Sequence, residues 1–232
     1  MRIIFPAILS ILVFSTFNCK TDAVPEVPKK AKHLFAKHYV RYLQTEKELK
    51  AEVSFKQGDT LSKARSIVLA NVTFENNQMD PQNLGKSYGI RYAFRKTGPY
   101  SDQYEFKYTS EQFGRLSHIL KMSPITDFLI KEGMINKKSG ATIVWKGDAL
   151  AANQELVLLF IDEEKKAFPV QIKGPTERSE LFLSTEKLKG LAVGKGNLMI
   201  VKKQLSESTE NNLTKISEME FYSNTLDIEV IE

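Results

Sequence analysis

Runs in which apolar and polar side chains alternate recur along this chain from residue 39 to its end, and most are closed by a turn signal. Lys50-Ala51-Glu52-Val53-Ser54-Phe55 and Glu218-Met219-Glu220-Phe221 are the clearest. A period of two places every second side chain on one face of a strand, so each run buries one face and leaves the other wet. The pattern predicts strands at 39–43, 49–55, 67–74, 90–95, 104–108, 141–145, 156–161, 168–172, 179–183, 198–202, 216–222 and 226–231. The run Leu156-Val157-Leu158-Leu159-Phe160-Ile161 is apolar throughout, as in a strand at the centre of a sandwich. Turn residues fall between the runs at Gln57-Gly58-Asp59, Thr97-Gly98-Pro99, Asp162-Glu163-Glu164-Lys165, Lys173-Gly174-Pro175 and Gly194-Lys195-Gly196. Short strands at this spacing predict an all-β sandwich or barrel. Helix signals are confined to 29–38 and to 123–131, the latter opened by Ser123-Pro124.

Three blocks occur twice in the same order. Phe55-Lys56-Gln57-Gly58-Asp59-Thr60-Leu61 matches Trp145-Lys146-Gly147-Asp148-Ala149-Leu150, Gly98-Pro99 matches Gly174-Pro175, and 105–116 matches 180–191. They predict two copies of one unit of roughly 90 residues, the size of a small Greek-key sandwich. The second copy lacks a counterpart of 76–89, and that polar stretch is the expected partner-facing loop. Asn136-Lys137-Lys138-Ser139-Gly140 is the expected boundary. The segment 180–191, followed by Gly194-Lys195-Gly196-Asn197-Leu198-Met199-Ile200-Val201, resembles the strand, tight crossover and next strand of an immunoglobulin-type domain. The resemblance implies two tandem Ig-like β-sandwich domains and carries no functional motif. The antibody disulfide is absent, and Trp145 stands on the opening strand of its unit rather than a central one.

The N-terminus is built differently. Arg2 precedes an almost wholly apolar stretch, 3–17, which ends at Asn18-Cys19-Lys20. Fifteen residues are too few to span a bilayer, which takes roughly 20; this is the length of a secretory core. Cys19 is the only cysteine in the chain, which excludes a disulfide framework. The segment resembles a bacterial lipoprotein signal with a relaxed motif: Thr16, Phe17 and Asn18 precede the cysteine instead of the usual Leu at −3 and small residue at −1. That resemblance implies lipid attachment at Cys19 and, with Lys20 rather than Asp following, an outer-membrane destination. The stretch 20–32 has two prolines and four lysines among its residues and reads as an extended tether. The expected organisation is a signal peptide at 1–18, lipidated cysteine and tether at 19–36, and β-sandwich domains at 37–135 and 136–232.

The motifs that look chemical lack the right context. Gly85-Lys86-Ser87-Tyr88-Gly89 fits G-x-S-x-G, but a loop precedes the serine and a strand follows it, the reverse of a nucleophile elbow. Gly190-Leu191-Ala192-Val193-Gly194-Lys195-Gly196 has three residues between its glycines where a phosphate loop needs four, and no hydroxyl after the lysine. His33, His38 and His118 show no metal-ligand spacing and read as surface or half-buried histidines, with His118 isolated. Asp162, Glu163 and Glu164 read as a solvated hairpin turn. In the aromatic-rich stretch 88–108, parity assigns Ile90, Tyr92, Phe94, Tyr104, Phe106 and Tyr108 to the core. It leaves Tyr88, Tyr100, Arg91 and Arg95 for outside contact.

The expected function is therefore that of a lipid-anchored cell-envelope protein acting as a binding or structural module, not an enzyme. No catalytic, metal or cofactor residues are assigned. The expected partners are the membrane, through the anchor, and another envelope protein or a polysaccharide. Lys plus Arg 33 against Asp plus Glu 28, a net charge of +5, is too mild an excess for a nucleic-acid surface. The alternatives are a surface polysaccharide-binding or adhesion protein, and an envelope hydrolase whose site has no recognised motif.

Overall fold

A computed structural model describes residues 32–85 and 89–232. Cys19, the apolar stretch 3–17, Ser87 and Tyr88 lie outside the described residues. The elements in chain order are β1 (His33–Leu43), β2 (Glu48–Gly58), β3 (Arg65–Ser66), β4 (Ala70–Phe74), β5 (Asn77–Gln78), β6 (Pro81–Asn83), β7 (Ile90–Thr97), β8 (Gln103–Ser110) and β9 (Gly114–Lys121). They continue with β10 (Asp127–Ile130), β11 (Ile135–Asn136), β12 (Ala141–Lys146), β13 (Gln154–Asp162), β14 (Ala167–Lys173), β15 (Glu180–Leu183), the one-turn helix α1 (Thr185–Leu188), β16 (Gly194–Glu210) and β17 (Leu213–Ile231). The chain is all-β, 64% strand and 2% helix, with several sheets in a sandwich arrangement.

One large sheet runs β14-β13-β16-β17-β1-β2-β7-β6, with β11 joined to β17 and β3 to β2. Its neighbours are antiparallel except for the β1–β17 pair and the short β11–β17 contact, which are parallel. Two smaller sheets, β5-β4-β8-β9 and β10-β12-β15, supply the remaining walls.

The buried residues sort into two cores. The first takes Leu34, Ala36, Val40 and Tyr42 from β1 and Leu49, Ala51, Val53 and Phe55 from β2, and packs them against Val72, Phe74, Tyr104, Phe106 and Tyr108 of the β4–β8 wall. The second sets Ile143 and Trp145 of β12 against Leu156, Leu158 and Phe160 of β13 and Leu198 and Ile200 of β16. Each large side chain buried in this way contributes about 1.5–3 kcal/mol.

The long hairpin β16–β17 serves both. Leu213, Met219 and Phe221 of β17 lie in the first core, whereas Ile228 and Val230 lie in the second. The change from odd to even residues comes from a register shift opposite Met199–Val201. There Ser223 and Asn224 oppose the single residue Ile200, whose N–H donates to the Ser223 Oγ at 2.9 Å. One extra residue reverses the side-chain parity of a strand, so the bulge lets β17 keep its apolar side chains on one face of the sheet along its whole length.

Three expectations need correction. Residues 29–38 and 123–131 were expected to hold helices. From His33 onward the first is strand β1, whose buried residues alternate with period two, and the second contains strand β10. The stretch 76–89 is not a free loop: β5 pairs with β4, β6 pairs with β7, and Met79 is buried. The matched blocks occupy non-equivalent places. Phe55 sits on β2 of the large sheet and Trp145 on β12 of a three-stranded one, while β8 turns into β9 but β15 runs into α1. The shared spelling reflects alternation and turn chemistry common to any hairpin.

Candidate functional site

Two groups of polar side chains depart from simple inside–outside partitioning. The first lies inside. His38 projects from the middle of β1 into the first core and is 0% exposed, so it is no surface histidine. Its ring centre is 4.3 Å from that of His118 on β9, and Phe106 and Tyr108 close over it. His118 Nε2 is 2.6 Å from the Ser217 Oγ of β17. The sandwich thus joins two histidines 80 positions apart, and His118 is not isolated. Among the described residues neither ring nitrogen of His38 has a hydrogen-bond partner. The Ile216 backbone favours the protonated ring without reaching hydrogen-bond geometry. Burial first, and His118 second, drive His38 well below the usual imidazole value. Burial, and then the Lys215 ammonium, bring His118 down to about 4. Both rings are neutral at pH 7. A serine bonded to a histidine suggests a nucleophile and its base, but Ser217 is 3% exposed and its oxygen is not open to a substrate.

The second group lies on the opposite face of the large sheet. Strand alternation sends Lys37, Tyr39 and Arg41 of β1, Glu48, Lys50 and Glu52 of β2, Arg91 and Arg95 of β7, and Glu218, Glu220 and Tyr222 of β17 to this side. Adjacent strands then interlock opposite charges. Glu52 lies 2.6 Å from Lys50 Nζ and 3.0 Å from Arg91 Nη1. Glu48 lies between Arg41 at 3.6 Å and Arg95 at 3.7 Å. Glu220 is held by three donors: the Lys203 ammonium at 2.5 Å, the Tyr39 hydroxyl at 2.6 Å and the Tyr222 hydroxyl at 3.1 Å. These cover it so well that it is only 6% exposed. Burial pushes its carboxyl up, but the hydrogen bonds from Lys203 and Tyr39 outweigh this and hold it below the ordinary value. The same bond pushes Lys203 up. Burial, then donation to Glu220, raises Tyr39.

Beside this network Lys37, Tyr39, Glu52, Ser54, Arg91 and Glu218 line a depression of 360 Å³. It presents donors and acceptors of both charges on rigid strands, so little ordering is needed to meet a polar ligand. Arg91 and Arg95, expected on the outside, stand here in ion pairs. Tyr100 does not. Its ring packs against Tyr42, Tyr104 and Phe221 and its hydroxyl donates to the Met122 carbonyl, because the turn after β7 folds back over the core.

The other sequence motifs are structural. Asp162 Oδ1 accepts the Lys166 N–H in a tight β13–β14 turn. A Cβ at Gly190 would meet the Phe168 ring at 2.6 Å, and one at Gly196 would meet the Ile161 carbonyl at 2.6 Å. Those glycines are required by close packing. His33 Nε2 lies 2.7 Å from the Thr214 Oγ1. Among the described residues no three His, Cys, Asp or Glu side chains converge, and no helix is long and apolar enough to cross a membrane.

No family model matches the chain, and no curated protein matches it. Among solved structures, that of the Yersinia pseudotuberculosis adhesin InvE is similar at a TM-score of 0.22 with 8% identity, over 80% of this chain and 58% of that one. The chain thus spans less than two thirds of the adhesin, and a likeness at that score carries no functional argument.

Proposed function

We propose that this protein is a non-catalytic binding module held at the outer membrane through acylation of Cys19, and that the open face of its large sheet is the binding surface. The observation that supports this is the state of the polar groups. His38 is packed inside the first core and the half-buried His118 is held against Ser217, while the exposed face offers a pre-ordered array of charged and hydroxyl groups around a depression. Such an array suits recognition better than proton transfer, since Glu220 already accepts three hydrogen bonds.

A hydroxyl-rich polysaccharide is the ligand this surface favours. Lys37, Glu52, Ser54, Arg91 and Glu218 alternate donors and acceptors over neighbouring strands without a dominant charge. Titration of the purified protein with envelope polysaccharide fractions, followed by calorimetry, tests the reading. Binding that is lost in Lys37→Ala/Arg91→Ala is the expected result, and equal binding by that variant would refute it. Mass spectrometry of protein from its native membrane tests the anchor. An acylated N-terminal Cys19 is expected, and a mature chain starting beyond residue 20 would overturn it.

A further inference from the structure

The edge of β16 near the hairpin tip is open and lies apart from the residues that line the depression on the polar face. β13 accompanies β16 only from Gly196 to Gln204. From Leu205 to Glu210 the strand has β17 on one side and, among the described residues, no strand on the other. Asn211 and Asn212 close the hairpin with left-handed φ values of 48° and 62°, a two-residue turn that makes Glu210 and Leu213 a hydrogen-bonded pair. Counting back by twos, Ser206 and Ser208 also bond to β17, and Leu205, Glu207 and Thr209 direct their backbone groups outward. Leu205 confirms the count, for its N–H donates to the Asn153 carbonyl at 3.0 Å and its carbonyl accepts from Asn153 Nδ2 at 3.1 Å. The N–H and C=O groups of Glu207 and Thr209 remain.

Three other edges, β14, β6 and β9, are protected. β14 has Pro169 in its middle, and β6 is three residues long and begins with Pro81. On β9 the Ser117 and Lys121 carbonyls accept from Lys215 Nζ at 3.1 Å and Gln204 Nε2 at 2.7 Å. Natural sheets blunt their edges in such ways, and an edge left open is a template for another strand.

We infer that this edge pairs with the same edge of a second copy, antiparallel, about a two-fold axis at Ser208. In that register Glu207 of one copy lies opposite Thr209 of the other, so every outward N–H meets an outward carbonyl. Side chains agree. Glu207 faces Thr209, Glu210 faces Ser206, and no carboxylate opposes another. A slip of two residues toward the strand start sets Glu207 against Glu207. A slip toward the tip runs the partner strand into the Asn211–Asn212 turn. Ser208 faces its own copy as a non-hydrogen-bonded pair, with Cα atoms about 4.5 Å apart, within disulfide range.

The test uses the full chain carrying Ser208→Cys under mild oxidation, with the linked peptides identified by mass spectrometry. A disulfide between two copies of the 208 peptide is expected. Ser206→Cys, on the same exposed strand, places its two cysteines about 14 Å apart in this register and must stay unlinked. Glu207→Pro added to Ser208→Cys removes one outward N–H and no bond to β17. It is expected to lower the linked fraction at least about tenfold with an unchanged melting curve. The inference is overturned if Ser208→Cys forms no such link, if Ser206→Cys links equally well, or if Glu207→Pro has no effect on linking. Association through other parts of the chain does not produce this position dependence.

Discussion

Acidification below pH 6.5 should weaken this fold through one pair of residues. In the unfolded chain His38 and His118 take up protons near the ordinary imidazole value of about 6.5. In the folded chain burial keeps them neutral, and His118 resists protonation down to about 4. Because the folded value is depressed, the unfolded state binds more protons as pH falls, so stability is full above about pH 7.5 and declines from there toward pH 4. For His118 alone, the interval from pH 7.5 to pH 5 corresponds to about 2 kcal/mol at full strength. Its ring is partly exposed, and solvent screening reduces this to about 1 kcal/mol. His38, with no exposed surface, adds to the loss in the same direction. The groups facing the pair are Lys215, Ser217, Phe106 and Tyr108, and the lysine charge opposes protonation as well. Urea unfolding at pH 7.5, 6.5, 5.5 and 5.0, followed by far-ultraviolet circular dichroism, measures the slope. The sole tryptophan, Trp145, lies in the second core and reports separately on that half. The matched variant His38→Leu/His118→Gln removes both titrating rings while glutamine can still bond Ser217. It should be flat from pH 7.5 to 5. A wild-type protein equally stable at both ends of that range, or a variant with the wild-type slope, would refute the reasoning.

Four further outcomes follow from the packing. Phe106→Ala, at a fully buried position between His38 and Phe74, should cost about 3–5 kcal/mol in urea unfolding. Glu220→Ala should cost about 1–3 kcal/mol, since it strips Lys203, Tyr39 and Tyr222 of their acceptor; a melting curve matching wild type would show that the network contributes nothing. Deleting Asn224 should reverse the parity of β17 beyond the bulge, turn Ile228 and Val230 out of the second core, and shift Trp145 emission to the red. A fragment of residues 123–232 keeps the second core, including Ile125, Phe128, Ile130 and Ile135, together with Leu213, Met219 and Phe221, but loses β1 and the first core around those three. Nuclear magnetic resonance of the fragment should show dispersed signals for the second core only, whereas two independent sandwiches would give a fully folded fragment.

Alternation alone made much of the fold legible. Lys50 to Phe55 spells which side chains enter the core and which face water, because a strand has only two faces and water selects between them. The same rule placed Tyr92, Tyr104, Phe106 and Tyr108 inside, and burial agrees. It also supplied Arg91 and Arg95 as outward groups, although not the carboxylates that hold them. Local pattern failed where the deciding partner was distant. His38 follows the alternation of β1, but only the approach of β9, 80 residues later, gives it a second imidazole. Tyr100 has no strand to fix its parity and goes inside because the turn folds over Tyr42. The three matched blocks misled for a related reason, since hairpins share a grammar whatever sheet they join.

The sequence by itself determined the strand class, the inward face of most strands and the lone cysteine after an apolar stretch. These depend on neighbours one or two residues apart. Only the tertiary structure decided that β1 pairs in parallel with β17, that one bulged hairpin feeds two cores, and that Glu220 sits beneath Lys203, Tyr39 and Tyr222. Strand order and register are set by which distant edges and faces meet, and a period of two is the same for every candidate partner.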